Sequence, residues 1–150
     1  VIGDYGRMCA LKECNGILPQ AARNFQPPEA HIYGQLHGSA YQKCDIYAMG
    51  CILYCLVHNK RPPWFIKGDI PFPRRNPSTT LIKRKNTLYR HLRNAREKAL
   101  ACIKAKIANR ETLTKSERLE LIIFSMTHPS ARKRPSAVEV RNKIEALLKR

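Results

Sequence analysis

Asp45-Ile46-Tyr47-Ala48-Met49-Gly50-Cys51-Ile52-Leu53-Tyr54 lies inside an apolar run that decides the fold. Ser39 can cap a helix that continues to about His58. Ile46, Met49, Ile52, Leu53, Leu56 and Val57, with Tyr47 and Tyr54, make that helix apolar nearly all round. A helix without a polar face belongs in the middle of a domain. Downstream, Leu81, Leu88, Leu92, Ala95, Ala99, Ile103 and Ile107 recur at helical steps, giving a long helix with room for one break. Thr114-Lys115-Ser116-Glu117 reads as a capping box opening a helix with Leu119, Ile122, Ile123 and Met126. Ser136-Ala137-Val138-Glu139 is a second box, and Val140, Ile144, Leu147 and Leu148 follow as one stripe. The reading is therefore mainly α. It has one domain over 1–150: an irregular stretch at 1–38, a central helix at 39–58, basic helices and an insert at 60–113, and two last helices at 114–150.

Upstream of the central helix the chain is punctuated by Gly3, Gly6, Gly16, Pro19, Pro27, Pro28, Gly34 and Gly38, so no long helix fits there. A Pro-rich loop separates the central helix from the long one: Arg61-Pro62-Pro63-Trp64, then Pro71, Pro73 and Pro77. The chain has 150 residues, enough to bury a proper core. Twenty-eight Lys and Arg against eleven Asp and Glu give a net charge of +17. That field favours acidic partners: an acidic protein surface, nucleic acid or an anionic membrane surface. No apolar run approaches the length of a membrane span, so no membrane partner is expected. No signal peptide is visible at Val1, and the six cysteines form no C-x-x-C pair. Both points suit an intracellular protein, cytoplasmic or nuclear, with reduced thiols. The five histidines show no metal-ligand spacing.

Three motifs stand in order: Asp4-Tyr5-Gly6, then Phe25-Gln26-Pro27-Pro28-Glu29, then Asp45-Ile46-Tyr47-Ala48-Met49-Gly50. A fourth, His128-Pro129-Ser130-Ala131-Arg132-Lys133-Arg134-Pro135-Ser136, precedes the last helix. The series resembles the C-terminal lobe of a eukaryotic-type protein kinase, divergent or viral in character. It covers nearly the whole chain, least closely over 66–113. The resemblance implies a C-lobe-like helical domain with an activation-segment-like N-terminal stretch. It implies that Asp4 holds magnesium bridging the ATP phosphates, that Gly6 lets the backbone turn away, and that Tyr5 replaces the usual Phe. Pro28 and Glu29 look like the end of the activation segment, and Glu29 is expected to be buried against Arg134. Asp45 and Gly50 match the family's Asp-x-Trp-Ser-x-Gly, in which the Asp accepts N–H bonds from the catalytic loop. Residues 20–29, including Ala22, Phe25 and Gln26, would form the shelf for a peptide substrate.

The departures are as informative. No Gly-rich loop, Val-Ala-Ile-Lys strand or His-Arg-Asp loop occurs in these residues, so no catalytic residue is assigned. The isolated 150 residues are expected not to transfer phosphate; the missing parts would have to come from upstream sequence. Ala22 stands where serine/threonine kinases carry Thr, and residues 7–28 contain no Ser, Thr or Tyr, so phosphorylation cannot switch that stretch. The implied function is the C-lobe part of a serine/threonine kinase using ATP and Mg2+ on a protein substrate. The alternative is an inactive lobe that binds and inhibits a partner kinase, or a basic docking module. Residues 60–110 hold fifteen Lys and Arg against Asp69 and Glu97. They read either as a solvated helix face or as a docking surface for an acidic partner or nucleic acid, although no nucleic-acid motif is recognisable.

Overall fold

In a computed structural model the chain is mainly α. The structure describes residues 25–33, 40–64 and 77–149; for 31–33, 40, 41 and 77–85 it describes the backbone alone. Asp4, Tyr5, Gly6 and Ala22 lie outside the described residues. The described residues hold five α-helices: α1 (Pro28–Tyr33), α2 (Ala40–His58), α3 (Pro77–Ala108), α4 (Lys115–Met126) and α5 (Ala137–Leu148). A 3-10 turn, Ala131–Lys133, joins α4 to α5. No strand occurs among the described residues, and no helix there is long and apolar enough to cross a membrane.

Both capping boxes form. The Thr114 hydroxyl accepts from the Glu117 N–H at 3.2 Å, and the Glu117 carboxylate accepts from the Thr114 N–H at 2.8 Å. Ser136 and Glu139 repeat the exchange at 3.2 and 2.6 Å. Each box satisfies two amide donors that a helix start leaves unpaired. The long basic helix is continuous over Pro77–Ala108, without the break its sequence allows. Pro77 fits the first turn, where no intrahelical donor is needed. The helix ends without glycine. Arg110 takes a left-handed φ of 58°, its N–H bonds Ile107 O at 3.1 Å, and the Glu111 N–H bonds Lys106 O at 2.9 Å. That is the Schellman pattern of paired terminal carbonyls.

The core lies between α2, α3 and α4. Trp64 is completely buried, edge-on to Tyr54 with centroids 5.0 Å apart and 4.9 Å from Phe124. Leu92, Leu100 and Ile103 of α3 and Ile123 of α4 close around it. A second cluster of Ile46, Ile122, Met126 and Val140 joins α2 and α4 to α5. Gly50 is a point of close approach between α2 and the end of α4. A Cβ there would sit 2.7 Å from Thr127 Cγ2 and 2.9 Å from Met126 Cβ.

Two expectations change. The central helix is not covered all round: Ile46, Tyr47, Cys51 and Tyr54 are buried, whereas Met49, Ile52, Leu56 and Val57 are exposed. Its sequence is apolar on both faces, but α4 and the 3-10 turn pack against one. Ile107 and Leu148 also follow the periodic pattern yet are exposed, because each lies in the last turn of its helix, beyond the packing partner.

Gly50→Ala should destabilise the fold by about 1–3 kcal/mol, the usual cost of overpacking a closed contact. Thermal unfolding checks this, and a variant melting with wild type would refute the close approach. Glu117 gives a pH signature. The Lys106 ammonium, 2.5 Å away, and then the Thr114 amide hold its carboxyl down to about 2, against an ordinary 4.5. A depressed folded pKa contributes stability above the unfolded value and loses it as pH falls toward the folded one. The stability gap between wild type and Glu117→Gln should therefore be full above about pH 4.5 and close as pH approaches 2. Urea titrations across that range measure it.

Candidate functional site

Glu29 enters the interior at the first turn of α1, directly after Pro28. Arg134 enters from the far end of the chain, just after the 3-10 turn. The two meet as a bidentate pair, Nη1 to Oε1 at 2.5 Å and Nη2 to Oε2 at 2.8 Å. Both residues are buried. Arg134 Nη1 also donates to Lys43 O at 3.0 Å, Nη2 to Pro129 O at 3.1 Å, and Nε to His128 O at 2.7 Å. All five donors of the guanidinium thereby have acceptors. Its carbon lies 4.8 Å from the Tyr47 ring centroid, so the cation rests on an aromatic face. The Lys43 ammonium closes the circuit by donating to Arg134 O at 2.6 Å.

The pair shapes its surroundings. Cys44 Sγ lies 3.9 Å from Glu29 Oε1. Burial, and then the Glu29 charge, push the Cys44 thiol up to about 12, so it stays protonated and unreactive. Burial pushes the Tyr47 phenol upward as well. This constellation joins α1, α2 and the α4–α5 connection at one point, with the charge fully matched. It can hold the segment around 25–29 in place; it offers no nucleophile or general base.

The other expected residues are distributed as follows. Phe25 is half-buried against the main core, and Gln26 beside it is also half-buried. Gly50 sits at the α2–α4 contact. Asp45 was expected to lie on a buried helix; it is exposed. Partial burial still raises its carboxyl above the ordinary value. Among the described residues it makes no hydrogen bond or ion pair. Among the described residues no group of His, Cys, Asp or Glu could hold a metal ion.

One buried residue escaped the sequence. Arg96 of α3 is 7% exposed, with Nη1 donating to Thr127 Oγ1 at 3.0 Å. Its guanidinium lies 5.5 Å from the Phe124 centroid and 5.8 Å from that of Trp64. Desolvation pulls its pKa down to about 10. An arginine in a strongly basic helix reads as surface. The only available signal was its position, four residues after Leu92 and four before Leu100 on the apolar stripe.

Comparison with protein-family models, curated proteins and solved structures found no match to this chain.

Removing one partner of a buried ion pair leaves an uncompensated charge, at about 3–5 kcal/mol. Arg134→Ala and Glu29→Ala should each lose most of the stability of a domain this size. Circular dichroism melts test it: an Arg134→Ala melt superimposing on wild type would show that the pair carries no weight.

Proposed function

We propose that these 150 residues act as the C-terminal lobe of a serine/threonine protein kinase. The observation that carries this reading is the Glu29–Arg134 pair. Two motif residues, 105 positions apart, meet through two hydrogen bonds in the interior, as the family resemblance requires. Supporting it, Tyr47 lies against Arg134 at the position of the family's Trp, and Gly50 sits where a side chain would clash.

In this reading Ala22, which lies outside the described residues, and Phe25 and Gln26 are the positions given to the peptide substrate. Asp4 and Gly6, outside the described residues, are the positions given to Mg2+ and ATP. When bound, that group supplies the phosphoryl donor. Exposed Asp45, beside exposed Met49, is the surface on which the family seats its catalytic loop. That loop and the nucleotide-anchoring lysine are not among these residues and must be contributed by other polypeptide.

A second reading is an inactive lobe that occupies a partner kinase. Ala22 in place of Thr, and the lack of any hydroxyl residue over 7–28, favour it.

The purified 150 residues should transfer no phosphate from Mg-ATP to a serine/threonine peptide. The native species, isolated from its source cells with an antibody to the 81–107 region, should do so, and Asp4→Ala should reduce that transfer to background. A native species of these 150 residues alone, inactive and bound to another kinase, would replace the enzyme reading with the second one.

A further inference from the structure

Arg90, Arg93 and Arg96 recur at three-residue steps on α3, so they rise along one side of the helix. Lys133 faces them from the 3-10 turn. Together they line a cleft of about 630 Å³ between α3 and the His128–Lys133 connection. Four fixed cations therefore stand against one carboxylate, Glu97, and Glu97 is already bonded to the Lys104 ammonium. Among the described residues no carboxylate lies within 4 Å of Arg90, Arg93, Arg96 or Lys133.

The contrast between the two buried arginines is decisive. Arg134 is matched by Glu29 and uses all five donors. Arg96 is buried too, yet among the described residues its one acceptor is a neutral hydroxyl, Thr127 Oγ1. That hydroxyl is itself fixed by donating to Ile123 O at 2.9 Å. A desolvated, positioned guanidinium lining a cationic cleft is a receptor for an anion of two or more oxygens.

We propose that this cleft binds a phosphate monoester carried on a peptide side chain. The monoester, with about −1.5 to −2 charge and three acceptor oxygens, suits a cleft lined by several cations. It stands at the end of a thin stalk and can reach the recessed Arg96. A phosphodiester is hemmed by a sugar on each side, so it meets the exposed Arg90, Arg93 and Lys133 without reaching the recessed Arg96. The cleft would bind such a group whether or not the chain completes a kinase.

His128 supplies a reporter at the same place. Burial first, and then Arg96, lower its pKa, with Lys133 and Arg134 adding to the effect. The Ser130 N–H donates to Nδ1 at 3.0 Å, a bond only the neutral ring can accept. Ser130 O lies 3.3 Å from the same nitrogen, ready to accept from the protonated ring. An anion bound between Arg96 and Lys133 would offset those cations and raise the His128 pKa.

The test is calorimetric titration of the 150-residue chain with N-acetyl-phosphoserine-N-methylamide. The comparison is the double variant Arg93→Gln/Lys133→Gln. Both side chains are exposed, so the variant should melt with wild type. Saturable binding is expected, weakened about tenfold or more in the double variant, as expected for losing charge-assisted bonds. Lys98→Gln, on a different cleft, should leave it unchanged. The His128 ring proton should titrate at higher pH with ligand present. Absence of binding, or equal binding by the double variant, overturns the proposal. So does tighter binding of octathymidylate that is lost in the same variant, which would assign the cleft to nucleic acid.

Discussion

The bidentate bond between Glu29 and Arg134 is the constraint on which the described parts of this molecule depend. A buried charge is tolerated only when its partner and its remaining hydrogen bonds are supplied. Arg134 receives both, from the α1 carboxylate and from the Lys43, His128 and Pro129 carbonyls. Those acceptors come from three separate places along the chain. The start of α1, the start of α2 and the α4–α5 connection can therefore adopt only the arrangement that satisfies all of them together. The Tyr47 ring beneath the guanidinium ties the same point to the main core, through Trp64 and Phe124.

A second buried cation lies against the Trp64 and Phe124 rings. Arg96 is held by Thr127 and by the faces of Phe124 and Trp64. Burial first, and more weakly the charge of Arg134, lower the Arg96 pKa. Among the described residues one arginine is paired with a carboxylate and the other with a neutral hydroxyl. The basic excess of the chain thus has a structured part as well as a diffuse one. Arg90, Arg93, Lys98 and Lys104 are exposed on α3, where repulsion between like neighbours weakens the helix slightly. A few are organised around a recess.

The last two helices were legible because their starts carry local chemistry, whereas α1 falls in a stretch that reads as irregular. Thr114 with Glu117 and Ser136 with Glu139 announce their helix starts within four residues, and both form as read. The Glu29–Arg134 pair was legible for another reason: each residue sits in a motif that gives a charged side chain a buried role. The uncovered face of α2 was not legible, because apolar residues do not reveal which of two faces has a neighbour. Met49 and Ile46 look alike in the sequence, yet Met49 is half exposed and Ile46 is buried. Arg96 was hidden by its basic neighbours. Asp45 followed from the expectation that its whole helix is interior, and fell with it. The resemblance to a kinase lobe rests on the motifs; the fold itself supports only the coarser statement, a mainly helical domain.

The separation between Glu29 and Arg134 sets a clock on synthesis. The carboxylate leaves the ribosome 105 residues before the guanidinium that matches it. At about 5–20 residues per second, that interval lasts roughly 5–20 s. Throughout it α1 lacks the charge that holds it, and α2, apolar on both faces, waits for α4. Nascent chains are exposed to unwanted association in such intervals. The last fifth of the sequence therefore completes what the first begins, and a chain cut just before Arg134 keeps α4 over its central helix but leaves the Glu29 carboxylate without its cation.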